Sequence, residues 1–531
     1  MMEIYYLKPN IIAEPLVNQW YAHPFLISPT TAAMIVAFLH LRILSSYINN
    51  PEIHQDALRW KEMQGGPFID ESSFRVSDAK ALYQTTLTEL NEVIKFAQAL
   101  KQGINLLKSA NGDSIEIFYS KMPEVIRGYI ELFYDIYSNP KLRVIEPLLY
   151  NSPYYLKNYQ SVVLREINTD KRPFSLSTPR FQESEHIEIK KPFSDQIYDS
   201  IFLLKSSPKK WHEINDIFSK CGVDDAGKIK RLLTTIPPKS NKEKSNSCTS
   251  SVKVTYFGHA CVLFQSNDLS ILLDPCISYQ YEYGIDRFTY ADLPDKIDYV
   301  LITHNHLDHI LIEHLIQLRH KITHIVVPKN SSCSLVDPSL KLLFKALGFK
   351  NVIELDELSN IDLIQGKITT IPFLGEHGDL EITSKTAYLI ECNNKKFLFA
   401  ADLNNLDPKL YENVQKITGD IEALYVSLEC DGAPLSWLYG AFLPKPLSQA
   451  HDQSRRLDAS DSKKIIELIE IFNTKNVYIY AMGQEPWLHY VMNVFYDENS
   501  KPMQEFEKLA QYCAQKHIQC EKLFGSATLN Y

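Results

Sequence analysis

The decapeptide LITHNHLDHI, residues 301–310, constrains this chain more than any other stretch of the sequence. It continues an apolar run, DYVLIT, whose composition is typical of a buried strand. His304 and His306 are two residues apart, so their side chains point the same way in an extended chain. Asp308 and His309 follow after a turn and can face a second position. The motif predicts two imidazoles for one metal ion and a carboxylate with an imidazole for another.

The alternative interpretation of this stretch is a polar turn that carries surface histidines. It is the weaker interpretation because four residue types occur together at fixed spacing. Isolated histidines such as His314, His320 and His324 show no such pattern, and we expect structural or surface roles for them.

Composition limits the class of protein. A chain of 531 residues is too long for one ordinary domain, so two or more domains are expected. Its 45% hydrophobic and 22% charged content is typical of a globular protein with a sizeable core. The net charge of −9 argues against a nucleic-acid binder, which usually presents a basic face. Small molecules and carrier proteins remain as partners.

The sequence indicates a cytoplasmic protein. The first residues, MMEIYYLKPN, lack the basic start and apolar stretch of a signal peptide. The run TAAMIVAFLHLRIL is interrupted by His40 and Arg42 and is shorter than the ~20 apolar residues that a membrane span needs. It predicts a core helix. The nine cysteines are scattered without a CxxC pair, as expected in a reducing compartment.

The polar stretch PPKSNKEKSNSCTSS predicts a linker at residues 237–251 between an N-terminal domain, 1–236, and a second domain, 252–531. The N-terminal domain is expected to be mixed and mainly helical. Apolar spacing predicts helices over 78–107 and 122–137, while YQSVVLREI predicts a strand.

The second domain alternates short apolar runs with turns and helices, for example SILLDPC, HIVVPK and KFLFAAD. This order predicts an αββα arrangement of the α+β class, in which two packed sheets lie between outer helices. The polar residues of interest follow strand ends, where binding sites are usually built.

Residues 252–531 resemble the metallo-β-lactamase fold superfamily. THNHLDH looks like its signature, and YFGHACVLF followed by ILLDPC resembles its opening hairpins. FLFAADLN carries Asp402 at a strand end, where the superfamily places an aspartate that bridges two metals. From the residues alone, Asp402 could also be a helix N-cap.

The stretch GEHGDL bears on whether the enzyme is a hydrolase or an oxygenase. Hydrolases of the superfamily generally use a histidine here, and His377 is present, but Glu376 precedes it. The chain more closely resembles the diiron β-hydroxylase family known from chloramphenicol biosynthesis, which has a long N-terminal domain and a glutamate ligand at this point. The resemblance implies that one iron is bound by His304, His306 and Glu376, that the other is bound by Asp308 and His309, and that Asp402 bridges them.

Residue chemistry agrees with this implication, because three carboxylates with three imidazoles suit iron or manganese, whereas sites rich in nitrogen and sulfur favour zinc. In the alternative, a dizinc hydrolase, Glu376 would only orient His377. The sequence leaves open whether His377, Glu485 or His489 touches metal or substrate. His259 is expected to support the first hairpin or to line the edge of the site, with the structural role favoured. His451 is expected in a loop-like segment.

The resemblance implies an oxygenase that uses two iron ions, dioxygen as co-substrate and a reductant. Its substrate would be an amino acid tethered as a thioester to a carrier domain of a nonribosomal peptide synthetase, hydroxylated at the β-carbon. The N-terminal domain would supply dimer contacts and shape substrate access. A dizinc hydrolase is the second hypothesis, and a non-catalytic binding module is the third. The sequence identifies neither the amino acid nor the electron donor.

Overall fold

The computed structural model describes residues 3–60, 63, 65–71, 73–240, 252–281 and 284–531. Most of the predicted linker, 237–251, therefore lies outside the described residues. Its first four residues, 237–240, contain neither helix nor strand.

The N-terminal half contains a four-stranded sheet of order β3-β2-β6-β7, a three-stranded sheet of order β8-β1-β9 and a β4-β5 hairpin. Its described strands are β1, Ile4–Leu7; β2, Ile11–Val17; β3, Trp20–Tyr21; β4, Ile130–Tyr134; β5, Pro140–Val144; β6, Gln160–Glu166; β7, Ile187–Ile189; β8, Lys209–Lys210; and β9, Leu233–Thr234. The strand predicted from YQSVVLREI is confirmed as β6.

Helices fill the rest of this half. They are α1, Pro24–Ile27; α2, Pro29–Ile35; α3, Leu41–Asn49; α4, Pro51–Ala57; α5, Val76–Glu89; α6, Asn91–Leu107; α7, Glu116–Tyr119; α8, Glu146–Leu149; α9, Ile197–Phe202; α10, Trp211–Ser219; and α11, Ala226–Arg231. The helix predicted over 78–107 is two helices, because Leu90 leaves the helical backbone conformation between them.

The helix predicted over 122–137 is wrong. A 3-10 turn at Glu124–Ile126 is followed by Gly128 in the left-handed region (φ 86°), which ends any helix. The next residues, IELFY, are rich in aromatic and β-branched side chains and form β4, which pairs with β5. Tertiary pairing therefore overrides the helical spacing.

The apolar run near the N-terminus forms one continuous helical segment from α2 through a π-helical turn, Val36–His40, to α3. By length and composition alone, Pro29–Asn49 could cross a membrane. In the structure, Met34, Ile35, Ile43 and Leu44 are at most 2% exposed and pack in the core of the N-terminal half.

The C-terminal half is a sandwich of two seven-stranded sheets, ordered β15-β14-β13-β12-β11-β10-β23 and β16-β17-β18-β19-β20-β21-β22. The strands are β10, Val252–Gly258; β11, Cys261–Ser266; β12, Leu269–Leu273; β13, Ile297–Leu301; β14, Ile322–Pro328; β15, Val352–Leu355; β16, Asn360–Leu363; β17, Gly366–Ile371; β18, Ala387–Cys392; β19, Lys395–Phe399; β20, Ala423–Val426; β21, Asn476–Ile479; β22, Gln519–Lys522; and β23, Ala527–Asn530.

The helices of this half are α12, Ile312–Leu318; α13, Leu340–Ala346; α14, Pro408–Thr418; α15, Leu435–Tyr439; α16, Gln449–Ser454; α17, Ser462–Phe472; α18, His489–Met492; and α19, Lys501–Gln515. Helices α14, α17 and α19 cover the outer face of the second sheet. The predicted αββα sandwich is confirmed.

Side chains of the first sheet point alternately to its two faces, so this sheet contributes to two hydrophobic cores. In β11, Val262 and Phe264 point between the sheets, while Cys261 and Leu263 point to the outer face. That outer face shares one continuous core with the N-terminal half. The N-terminal half therefore covers the first sheet, together with α12 and α13, and is not a separately packed unit.

An ion network joins the two halves through Arg172. Its guanidinium is 3% exposed and lies 2.8 Å from Glu14 on β2 and 2.7 Å from Glu313 on α12. The guanidinium also lies 3.6 Å from the centre of the Tyr490 ring. Both carboxylates are at most 2% exposed. Glu14 is also paired with Arg165 and Arg180. Arg172, by contrast, is the ion-pair partner that the described residues give Glu313, so the guanidinium compensates the buried charge of Glu313 in particular.

Replacing Arg172 by Met should destabilise the protein by about 3–5 kcal/mol, because Glu313 would lose its ion-pair partner and a buried carboxylate without one is costly. Chemical unfolding of the full chain measures the loss. The control is Arg59→Met, since the Arg59–Asp56 pair is exposed (75% for Arg59) and such pairs contribute at most about 1 kcal/mol. Equal effects of the two substitutions would contradict the role of Arg172.

Candidate metal centre

The polar residues of the site follow strands that end at one edge of the sandwich. Asp274 comes directly after β12, and His304 follows the neighbouring parallel strand β13. In the second sheet, Asp402 follows β19, and Glu429 follows its parallel neighbour β20. Because parallel strands end at the same edge, these loops bring the side chains together.

The first group consists of His304, His306 and Glu376, whose ligand atoms lie within 4.8 Å of one another. The Nδ1 atom of His306 is 2.6 Å from one carboxylate oxygen of Glu376, and the Nε2 atom of His304 is 3.9 Å from the other. All three side chains are at most 8% exposed. Two imidazoles and one carboxylate thus converge on a buried point.

The second group shares His304 and adds His309 and Asp402. Oδ2 of Asp402 is 2.9 Å from Nε2 of His309 and 3.7 Å from Nε2 of His304, so this carboxylate lies between the two groups. Oδ2 of Asp308 lies 3.4 Å from the same Nε2 atom of His309. The structure therefore brings together all six residues predicted as ligands.

Buried partners orient two of these imidazoles. Nδ1 of His309 is 2.8 Å from Oδ2 of Asp274, which also accepts a hydrogen bond from the Thr303 hydroxyl. Nε2 of His306 is 2.9 Å from the hydroxyl of Tyr439 on α15. These contacts leave Nε2 of His309 and Nδ1 of His306 facing the centre of the site, as is usual for metal-ligating histidines.

The buried carboxylates and the neutral imidazole of the site favour binding of a cation. Burial works against ionising Glu376, but the neighbouring imidazoles, first of all His306, hold its pKa well below the usual range. Burial, with the carboxylates of Asp402 and Asp308, raises the pKa of Glu429 well above its ordinary value. Burial holds the pKa of His304 well below its ordinary value, so its ring is neutral and can bind a metal.

Several buried atoms have no hydrogen-bond partner among the described residues, and three of them lie at the site: Nε2 of His304, Oδ1 of Asp402 and Nε2 of His377. Leaving such atoms unpaired costs free energy, so a ligand is expected there. A donor set of carboxylate oxygens and imidazole nitrogens fits iron or manganese, and no thiolate lies in any of the three groups found among the described residues.

The backbone is strained around the site. His259, Asp274, Glu376, Ala401 and Ala481 have φ between 36° and 69°, a region that side chains other than glycine rarely adopt. Each lies in a turn that follows a strand or immediately precedes a ligand. Such strain is concentrated at functional sites, where the surrounding fold holds it in place.

The residues left open by the sequence fall outside the two ligand groups just described. Nδ1 of His377 is 2.7 Å from Oε2 of Glu376, beside the first group. Glu485 accepts hydrogen bonds from Tyr256 and from the backbone of Gly525. His489 packs against Phe495, with ring centres 4.4 Å apart. His451 lies on the exposed helix α16.

Asp274, Glu429 and Tyr439 were missed as site residues. Asp274 and Glu429 both end apolar runs, LLD and SLE, in the same way as Asp402 ends FAAD, so this recurring pattern could have identified them. Tyr439 had no local signal, since its contact with His306 depends on how α15 packs against the sandwich.

Two family models match the chain. Residues 6–237 match the diiron non-heme beta-hydroxylase N-terminal domain, and residues 253–419 match a beta-lactamase superfamily domain. The 4-amino-L-phenylalanyl-[CmlP-peptidyl-carrier-protein] 3-hydroxylase of Streptomyces venezuelae is 35% identical over 99% of both chains. A UPF0173 protein of Pyrococcus abyssi is 29% identical over 24% of this chain and 50% of its own.

Solved structures agree over the whole length. CmlA, a diiron beta-hydroxylase from Streptomyces venezuelae, superimposes with a TM-score of 0.92 at 34% identity, covering 100% of both chains. A glutamate-to-aspartate variant of CmlA gives a TM-score of 0.90 at 32% identity, covering 99% of this chain and 100% of its own. The chain belongs to the diiron non-heme β-hydroxylase family.

Replacing Asp274 by Ala should weaken metal binding about 10–100-fold, because His309 loses the carboxylate that fixes its ring. Competition between the protein and a chelator for ferrous iron, under anaerobic conditions, measures the affinity. Asp298→Ala is the matched control, since that carboxylate accepts a bond from Ser270 on the neighbouring strand instead. Unchanged affinity in the Asp274 variant would contradict the orienting role.

Proposed function

We propose that the protein is a non-heme diiron monooxygenase that hydroxylates the β-carbon of an amino acid. The amino acid is held as a thioester on a carrier domain of a nonribosomal peptide synthetase. The observation that carries the proposal is the position of Glu376, whose two oxygens face His306 and His304. Family membership favours this function over the dizinc hydrolase.

The substrate class is supported by the relative from Streptomyces venezuelae, whose name specifies an aminoacyl group on a peptidyl carrier protein. The two chains match over 99% of their lengths, so the N-terminal half is shared as well as the sandwich. A role in antibiotic biosynthesis, a cytoplasmic location and a homodimer complete the proposal.

The protein's own residues fit the proposed diiron pair. His304, His306 and Glu376 would hold one iron, Asp308 and His309 the other, and Asp402 both. When bound, such a pair supplies the chemistry that inserts one atom of dioxygen into a carbon–hydrogen bond, with electrons from a reductant. Tyr439 and Asp274 keep the imidazoles in place, and the low exposure of the ligands limits access of water.

Glu376 is the residue that separates oxygenase from hydrolase. A carboxylate adds a negative charge that a neutral imidazole would not, and its Coulomb attraction favours the more highly charged, oxidised metal. His377 lies next in the chain, but its Nε2 atom has no partner among the described residues, so it remains available to a substrate or a water molecule.

Protein purified from cells supplied with both iron and zinc should contain iron, and Glu376→His should lower hydroxylation by at least ~100-fold, because the site loses a charged ligand. Elemental analysis and product formation are measured together. Glu357→His, at an exposed glutamate, is the control and should leave both unchanged. Zinc without iron in the unmodified protein, or full activity of the Glu376 variant, would refute the proposal.

Hydroxylation should depend on the carrier. With reductant and isotopically labelled dioxygen, the aminoacyl group on a loaded carrier domain should gain one labelled oxygen, and the same free amino acid should not react. Mass spectrometry of the carrier and of the free amino acid gives both results. Equal reaction of the free amino acid would overturn the assigned substrate form, although the oxygenase chemistry would stand.

A further inference from the structure

A third cluster of possible metal ligands lies beside the proposed pair and consists of His259, Asp308 and His309. His259 is in the turn between β10 and β11, is fully buried and has φ of 51°. Its Nε2 atom is 3.0 Å from Oδ2 of Asp308. Distance alone would allow His259 to be a metal ligand.

Hydrogen bonding decides against a ligand role. The backbone N–H of Gly483 donates to Nδ1 of His259 over 3.2 Å. A nitrogen that accepts a hydrogen bond carries no proton, so the proton of the neutral ring must be on Nε2. That nitrogen then donates to Asp308 and has no lone pair for a metal.

Hydrogen bonds to the second sheet hold the turn that carries His259, so its Nε2–H group stays directed at Asp308. The backbone carbonyl of His259 accepts a hydrogen bond from the N–H of Ala481 over 3.0 Å, and Ala481 and Gly483 both follow β21. One sheet thus supplies the histidine, and the other sheet holds both its backbone and its ring.

Asp308 needs such support more than its neighbours. Its side chain is 13% exposed, whereas those of the other five predicted ligands are at most 8% exposed. Among the described residues, the hydrogen bond from His259 and the contact with His309 are what restrain its carboxylate. Without His259, the contact with His309 would be the remaining restraint on this carboxylate among the described residues.

We propose that His259 is a positioning residue, which donates Nε2–H to Asp308 and thereby fixes this carboxylate for the second metal position. The inference rests on the proposed function, since it assigns a role toward the proposed metal pair. It predicts an asymmetric defect. Loss of the Nε2–H donor weakens the position held by Asp308, His309 and Asp402, and the position held by His304, His306 and Glu376 remains.

Two substitutions of similar polarity test the donor. In His259→Gln, the side-chain amide reaches about as far as Nε2 and can still donate to Asp308. In His259→Asn, the amide is one bond shorter and ends near the place of Nδ1. His489→Gln, at a histidine that packs against Phe495 away from the ligands, is the control.

The measurements are metal bound per chain after anaerobic ferrous loading, the affinity of each step against a chelator, and the Mössbauer spectrum of the bound iron. The Asn variant should keep one tightly bound iron and bind the second about 10–100-fold more weakly. The Gln variant and the control should resemble the unmodified protein. Thermal unfolding of the metal-free variants shows whether the fold is intact.

Full-strength binding of both irons by the Asn variant would overturn the inference. Equal losses in the Asn and Gln variants would also overturn it, because they would indicate a packing role for the ring. If the unmodified protein binds two zinc ions and no iron, the proposed function fails, and the same comparison repeated with zinc still tests His259.

Discussion

Four carboxylates in a largely buried space are the constraint on which the site depends. Burial, together with the charges of Asp402, Asp308 and Glu376, raises the pKa of Glu429 well above its ordinary value. Buried like charges of this density are tolerated only with compensating positive charge. The imidazoles supply part of it, and burial keeps His304 neutral. A bound metal pair would therefore stabilise the arrangement as well as serve the proposed reaction.

The topology of the sandwich explains why these side chains lie close together. Each sheet contributes residues from the loops after neighbouring parallel strands, so that the first sheet supplies the HNHLDH motif and Asp274, and the second supplies Asp402 and Glu429. Glu376 comes from the long loop between β17 and β18, and its left-handed backbone turns the side chain toward His306. The proposed distinction between oxygenase and hydrolase therefore depends on this one loop.

Much of this arrangement was accessible from sequence. Strand-like runs that end in polar residues predicted the sandwich, and the spacing of HNHLDH predicted which side chains would face two metals. Long-range packing was not accessible: β4 pairs with β5 in a stretch with helical spacing, and Tyr439 reaches His306 from 133 residues away. The tautomer of His259 depends on the N–H of Gly483, which is 224 residues away in the chain. No local pattern encodes such contacts.

The N-terminal half and the first sheet share one core, so the boundary between them in the sequence does not separate two independently packed units. The outer face of that sheet is buried by residues that precede position 240, and Arg172 reaches across to α12, which begins three residues after His309. If the chain were cut between residues 240 and 252, the two fragments would remain associated through this apolar contact and its buried ions. Cohesion between the two halves of the folded molecule therefore comes from the interface itself.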